Sequence, residues 1–536
     1  MKSCSRREFL KRIGSAGLLT CAPALVRAVE GFGDDFICIS ILHTTDLHGH
    51  ILPTFDYAGN PDLGGLARCA RQIHRWRGEN PNSLLIDLGD VYQGTDVGLR
   101  TNGELMIDLF NHLKYDAWIV GNHEFDWGME TFRNAVARST MPVLAANTLV
   151  EGNASGELSD GKDPLAKIQP YIVKELAGMK IAIVGVTTPG MPFWLPPQFT
   201  GGIEFQFPVE PARRAIRAAK HQGADAIVFA AHMGLKPRTG GDDFANSVMA
   251  LTSEFSETAA FIAGHTHQNI PSRLTNGVLL TQADHFGIHV GRLDLVFERQ
   301  SKKLLRAEAV CELMDSRIHP DYGVLSRSKL QLDESAAALN EVVGELAEAL
   351  RARSHPGEPS DLEELIGISI IEALRERGIF VAGAVHGTFG ESNISPGKKT
   401  VQDIWNIIPY ENYVITAELL PQEIKVVMEE IYASHEPRNL IGFDVATERT
   451  AKAWRIVSMR PADGQPLQAD RRYTIAFNTF DARSAGHRLM KLRTLLDTPA
   501  ANCNLHDLQT REAVVDYFHR HHVVRRGPKS LQRAAA

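Results

Sequence analysis

At 536 residues the chain exceeds what one hydrophobic core supports and predicts two or three domains. Charged residues are 23% and apolar residues 44%, the balance of a soluble globular protein, and a formal charge of −7 offers no basic surface for a nucleic-acid polymer. Beyond the N-terminus no apolar run approaches the roughly 20 residues that a membrane span needs.

Ser5-Arg6-Arg7-Glu8-Phe9-Leu10-Lys11 precedes the apolar segment Ile13 to Val26, and Val26-Arg27-Ala28 offers a small-residue cleavage site. The paired arginines resemble a twin-arginine export signal. Residues 1–28 are therefore set apart from the fold, with the twin-arginine translocase as the expected partner and the periplasm, or another exported site, as the expected location. Outside that segment Cys38, Cys69, Cys311 and Cys503 are widely spaced and form no CxxC pair.

Phe36 to Leu42 is a short β-rich run that delivers Asp46 and His48 at its end. In extended backbone alternate side chains share a face, so this Asp-x-His pair is expected to reach one ion. The turn Gly64-Gly65 leads into a helix over Leu66 to Arg77, and a buried strand from Ser83 then runs into Gly89-Asp90. A second helix spans Gly103 to Leu113, and the apolar run Ala117 to Val120 brings the chain to Gly121-Asn122-His123-Glu124-Phe125-Asp126-Trp127-Gly128. Further strands are expected over Met141 to Asn147 and Lys180 to Thr187. Ala226 to Ala231 ends at His232, and Ala259 to Ala263 ends at Gly264-His265-Thr266-His267. Strands alternating with helices, with polar residues at each strand's carboxyl end, predict a layered α/β domain with its site there.

After about Asp315 the texture changes. Leu332 to Arg353 is rich in Ala, Glu and Leu at helical spacing and is followed by Ser354-His355-Pro356-Gly357. This predicts a linking helix within residues 316–358. The helix Asp361 to Arg377 then opens a second domain over residues 359–525, with strands at Tyr413 to Glu418 and Arg471 to Phe477. Residues 526–536 are expected to be a disordered tail.

Asp46, His48, Asp90, Asn122, His232, His265 and His267 form a mixed nitrogen and oxygen donor set without thiolates, which suits Mn²⁺, Zn²⁺ or Fe²⁺. Seven donors are too many for one tetrahedral ion and suit two divalent ions that share a bridging carboxylate. Such a pair can hold a bridging hydroxide and polarise a phosphoryl oxygen. His123 is placed to meet the leaving oxygen or the transferring group, with Asp126 orienting its imidazole and keeping it protonated.

Asp-x-His, Gly-Asp, Gly-Asn-His-Glu, a single His after a strand and Gly-His-x-His, in this order, resemble the calcineurin-like metallophosphoesterase superfamily. The fuller forms His43-Thr44-Thr45-Asp46-Leu47-His48-Gly49 and Gly121 to Asp126 are similar to its 5′-nucleotidase family. The resemblance implies a four-layer α/β sandwich over residues 37–315 followed by a smaller α/β substrate-binding domain. It implies that Asp46, His48, Asp90 and His267 hold one ion and Asp90, Asn122, His232 and His265 the other, with His123 and Asp126 as the catalytic dyad. The second domain resembles the family more loosely, through Thr400 to Asn412, and Phe443 and Phe480 fall where family members sandwich a nucleobase between two rings.

Two departures bear on substrate. A Gly-Gly-x-Arg element is replaced by Ala384 to Gly390, without an arginine, and a late Gly-Gly-Asp-Gly element by Ala485-Gly486-His487-Arg488. A bidentate arginine is not replaced by a histidine, because the fork geometry is lost with it. The expected activity is hydrolysis of a small-molecule phosphoester such as a nucleotide. Sox-type thiosulfohydrolysis and a non-enzymatic metal- or ligand-binding role are the alternatives.

Overall fold

The computed structural model describes residues 35–150, 163–237, 239–388, 393–434, 438–451 and 453–526. The export signal read at residues 1–28 lies outside them, as does the C-terminal tail except Arg526. Arg526 Nε is 2.9 Å from Asp361 Oδ2, which removes that residue from the expected disordered tail. The chain divides into two compact units, Met1–Met191 with Pro197–Leu332, and Pro192–Pro196 with Asp333–Ala536.

The first unit carries strands β1 (Phe36–Thr44), β2 (Ser83–Asp87), β3 (Ala117–Ile119), β4 (Val143–Leu144), β5 (Thr148–Val150), β6 (Ile168–Gln169), β7 (Tyr171–Leu176) and β8 (Met179–Val186). It continues with β9 (Ile203–Phe205), β10 (Ala226–Ala231), β11 (Ala260–Ala263), β12 (Asn269–Thr275), β13 (Val278–Ala283), β14 (His289–Glu298) and β15 (Leu304–Leu313). One sheet has the order β15-β14-β1-β2-β3-β4-β6 and the other β12-β13-β11-β10-β8-β7. In the first, β1, β2, β3 and β4 pair in parallel. In the second, β8, β10, β11 and β13 do the same.

The apolar runs explain why the sheets pack face to face. Ile37, Ile39 and Ile41 of β1 and Ile86 of β2 share one core with Ile181 and Ile183 of β8, Val228 of β10 and Ile262 of β11. The alternate residues of the second sheet, such as Val184, Phe229 and Phe261, face outward into a separate core with Ala212, Ala215 and Ile216 of the helix Val209–His221. On the other side, the helix Leu66–Glu79 packs on β14. Strands buried on both faces read as continuous hydrophobic runs, which is how β8 and β10 read here. The result is a helix–sheet–sheet–helix sandwich, the layered α/β class that the sequence predicts.

The second unit holds β16 (Val342–Leu346), β17 (Gly383–Val385), β18 (Gly397–Thr400), β19 (Tyr413–Leu419), β20 (Leu440–Ile441), β21 (Phe443–Arg449), β22 (Trp454–Pro461), β23 (Tyr473–Asn478), β24 (Asn504–Gln509) and β25 (Val523–Val524). Its main sheet has the order β20-β17-β23-β19-β24. The helices Asp361–Glu376 and Thr510–His521 cover one face, and Pro421–Ala433 and Met490–Leu496 cover the other. The first of these helices starts at a capping box, in which Ser360 and Glu363 each bond the other's backbone N–H.

The linking helix differs from the expectation. It spans Tyr322–Leu339, ten residues ahead of the expected start, and Val342–Leu346 is strand β16, paired with β18 and β25. The β-branched pair Val342-Val343 favours extended backbone, and burial of Val343 and Leu346 overrides the helical propensity of the surrounding Ala, Glu and Leu.

Candidate functional site

The seven donor residues lie on loops just after β1, β2, β3, β10 and β11, at the carboxyl ends of parallel strands from both sheets. Asp46, His48, Asp90 and His267 present ligand atoms that all lie within 4.8 Å of one another, and so do Asp90, His232 and His265. Asp90 belongs to both groups. Around an ion with ligands about 2.0–2.2 Å away, atoms on opposite sides are at most about 4.4 Å apart, so these groups are close to coordination size. Asn122 joins the second group, its Oδ1 3.0 Å from His232 Nε2.

The route by which Asp46 and His48 converge is not the pleat of an extended strand, as the alternation of side chains suggests. Strand β1 ends at Thr44, and beyond it Asp46 has φ 50° and His48 φ 47°. Asp90, His265 and His267 are also left-handed, at φ 56°, 67° and 50°. For residues with a Cβ this conformation costs about 1–3 kcal/mol each and persists only where surrounding structure enforces it. Five of the seven donors thus sit on strained backbone, each aimed inward by a left-handed turn.

Hydrogen bonds fix which nitrogens face the centre. His48 Nδ1 is 2.9 Å from the Gln93 carbonyl, which can only accept, so Nδ1 carries the proton. Burial pushes the His48 imidazole down to about 3, keeping it neutral with a lone pair on Nε2. That lone pair faces His267 Nε2 at 3.1 Å. His232 donates from Nδ1 to the Leu88 carbonyl at 2.6 Å, which turns its Nε2 toward Asn122 Oδ1 and, at 3.2 Å, Asp90 Oδ2. Four imidazoles, two carboxylates and an amide oxygen are brought together with few donors among them, an arrangement that calls for a cation. Burial opposes a charge on His232, but Asp90 outweighs burial and draws its imidazole up to about 9. The donor set therefore fits a divalent metal.

His123 stands at the edge of this cluster, its side chain 25% exposed, and its ring centroid is 5.2 Å from that of His48. Its backbone N–H donates to Asp90 Oδ1 at 2.8 Å, and its Nδ1 is 2.7 Å from Asp126 Oδ2. Burial works against the imidazolium, yet Asp126, followed by Asp90, holds it up at about 10. His43, in the same stretch as Asp46, is excluded from the site. Its ring lies in the β1–β14 interface, where a Cβ on Gly291 would come within 2.0 Å of Nε2.

One residue that sequence reasoning passed over supports the whole arrangement. Glu124 is fully buried, and its carboxylate accepts from three backbone N–H groups: Val91 at 2.7 Å, Asp90 at 3.1 Å and Gly121 at 2.6 Å. It ties the loop after β2, which carries Asp90, to the loop after β3, which carries His123. Its sequence signal is the closing residue of Gly-Asn-His-Glu, which marks its place but not its backbone partners. Gly121 is required at this junction, because a Cβ there would lie 2.3 Å from Asp90 Oδ1.

Residues 39–269 match the calcineurin-like phosphoesterase family, and residues 342–492 match the 5′-nucleotidase C-terminal domain. The chain belongs to the calcineurin-like phosphoesterases, with a 5′-nucleotidase C-terminal domain. Members of this family are hydrolases that act on phosphoric esters. The trifunctional nucleotide phosphoesterase protein YfkN of Bacillus subtilis is 29% identical over 297 residues, 49% of this chain and 20% of that one. The 2′,3′-cyclic-nucleotide 2′-phosphodiesterase/3′-nucleotidase of Salmonella typhimurium is 28% identical over 329 residues, 55% of this chain and 48% of that one. The chain thus spans half or less of these curated relatives. The solved 5′-nucleotidase precursor from Thermus thermophilus superposes with a TM-score of 0.68 at 23% identity, covering 92% of this chain and 98% of that one, a likeness of fold.

In the second unit the two phenylalanines read as base-stacking rings both border the hydrophobic core. Phe443 begins β21, is 9% exposed and belongs to the core with Val385 and Phe477, and Phe480 packs against that same core. An apolar ring next to a sheet is drawn into it by area burial, and a Gly-Phe pair does not distinguish the two roles. The place that lacks an arginine in sequence receives one in space. Gly387, just past β17, lies against Arg438, whose Nε is 2.8 Å from Asp481 Oδ2, and both are buried.

Proposed function

We propose that this chain is an exported metal-dependent phosphoesterase that hydrolyses nucleotides or related phosphoesters, with two divalent ions, Mn, Zn or Fe, centred on Asp90. The observation that carries the reading is that Asp90 belongs to both donor groups while also accepting the backbone N–H of His123. Residues 37–315 are assigned to catalysis and 359–525 to substrate recognition.

When bound, the ions supply Lewis acidity at the phosphoryl oxygens and an activated water as nucleophile. The chain's own groups do the rest. Asp46, His48 and His267 hold one side of the centre, and Asn122, His232 and His265 hold the other. Protonated His123 meets the oxygen on which charge develops, and Asp126 fixes its ring and keeps the proton in place. Glu124 holds the backbone of Asp90 and Gly121, so that this geometry exists before substrate arrives.

Support for a nucleotide-type substrate comes from these relatives, a nucleotide phosphoesterase and a cyclic-nucleotide phosphodiesterase/3′-nucleotidase. The test is product release from AMP (inorganic phosphate and adenosine), a UDP-sugar (UMP and a sugar phosphate) and a 2′,3′-cyclic nucleotide (a nucleoside monophosphate) by the Mn²⁺-loaded protein, read by chromatography, alongside elemental analysis. Release from at least one of them with two ions per chain is expected. No release from any would overturn the phosphoesterase reading. Replacing Arg6 and Arg7 by lysine should retain the chain in the cytoplasm, and unchanged export would refute the twin-arginine route.

A further inference from the structure

His267 turns its Nε2 toward His48 and, at 3.3 Å, Asp46 Oδ1, and its other nitrogen is engaged from outside the cluster. Tyr57 Oη lies 2.6 Å from His267 Nδ1, and the two ring planes differ by 16°. At 2.6 Å this contact has the length of a short hydrogen bond to a ring nitrogen, whose N–H or lone pair lies in the ring plane. His285 lies over both rings, 11° from the plane of His267 at 4.9 Å and 13° from that of Tyr57 at 4.2 Å. His285 is itself anchored, with Nδ1 2.6 Å from Asp284 Oδ1, while Asp284 Oδ2 is 2.9 Å from His289 Nδ1.

The loop that presents Tyr57 is built to hold it. Thr54 and Leu63 pair as a β-bridge. Between them the Asp56 carboxylate accepts from Ala58 N, Asn60 N and Asn60 Nδ2 at 2.7–2.9 Å, closing a tight Asx turn around Tyr57. The phenol is delivered to a metal-ligand candidate by a shaped loop, although Tyr57 itself is 64% exposed. An exposed tyrosine that only filled space would gain little from such a support.

We propose that Tyr57 is a positioning residue of the metal centre, its phenol oxygen accepting the Nδ1 proton of His267. That acceptance selects the tautomer in which Nε2 is a lone pair, the form in which His267 can ligate an ion shared with Asp46 and His48. Partners on the outer nitrogen of a ligating histidine set its tautomer and ring orientation, and removing one typically costs about 10–100-fold in metal affinity or activity. The inference rests on the metal-centre reading above.

The test uses the full chain stripped of metal and titrated with Mn²⁺, followed by calorimetry and by the electron paramagnetic resonance signature of a coupled Mn pair. Tyr57→Phe keeps the ring against His285 and removes only the oxygen. Because the residue is largely exposed, the fold should be unchanged. The expected result is a 10–100-fold weaker affinity for one of two ions, with the coupled signal giving way at limiting Mn²⁺ to that of isolated Mn²⁺. Wild-type affinities and an unchanged coupled signal in Tyr57→Phe would overturn the proposal. So would a defect confined to Tyr57→Ala, because the ring and not the oxygen would then be responsible. Wild-type protein that takes up fewer than two ions would remove the metal-centre reading itself, an outcome distinct from two ions bound equally well by wild type and Tyr57→Phe.

Discussion

His123 Nδ1 and Asp126 Oδ2, three residues apart on one short turn, are 2.7 Å from each other beside the shared donor Asp90. This contact holds a proton on an imidazole that burial alone would discharge. His123→Ala should therefore lower kcat by about 10²–10⁴ while leaving metal content unchanged, as expected for loss of a positioned acid. Elemental analysis beside steady-state kinetics decides it, and unchanged turnover would refute the role.

The same contact gives a pH dependence with a definite sign. The folded value of His123 is about 10, above the roughly 6.5 of an unfolded histidine. A raised histidine contributes stability that is fully present below about pH 6.5 and is lost as pH rises through about 10. In metal-free protein, denaturant unfolding across that window should show stability falling toward high pH, and Asp126→Asn should flatten the slope. An equal slope in the variant would place the effect elsewhere.

Asp90 and His265 should differ in what their loss does to metal. Asp90 faces both donor groups and His265 only one. Asp90→Asn keeps an oxygen for the His123 N–H but removes the charge that both groups share, so affinity for both ions should weaken. His265→Ala should weaken one ion and spare the other. Competition with a chelator distinguishes the two patterns, and equal loss in both variants would contradict a shared Asp90.

The positions of these donors along the chain were legible because buried parallel strands read as apolar runs, and the residues that follow them are where open sheets place ligands. The way the donors converge was not. Alternation along β1 suggests a shared face for Asp46 and His48, but the strand stops at Thr44 and left-handed turns do the aiming. Positive φ at an Asp or His leaves no trace in composition. The role of Glu124 was hidden for a related reason, since the Gly-Asn-His-Glu motif shows the residue but not its three backbone N–H partners. At Val342–Leu346 local helical propensity pointed one way, and pairing with β18 and β25 decided the other.

Phe443 allows the packing and stacking roles to be separated. A ring buried in the core of the second unit should cost about 3–5 kcal/mol of stability when cut to alanine. Phe443→Ala is accordingly expected to unfold at lower denaturant with its KM for a nucleotide little altered. A several-fold rise in KM at unchanged stability would restore the stacking role.

Glu124→Gln carries the most local prediction. The carboxylate accepts three backbone N–H groups. A glutamine of the same shape turns an NH₂ toward at least one of these donors, leaving it buried and unsatisfied at a cost of about 1–3 kcal/mol. Oε2 takes the N–H of Asp90 and of Gly121 and Oε1 that of Val91, so the amide displaces at least the Val91 N–H, and a Cβ at Gly121 would meet Asp90 Oδ1 at 2.3 Å, leaving the loops little slack in which to adjust. Stability and metal affinity should fall together, with kcat falling further because His123 rides on the same loop. Thermal unfolding with and without Mn²⁺ reads the first two effects. If stability drops but Mn²⁺ raises the melting temperature as much as in wild type, Glu124 holds the fold and not the metal geometry.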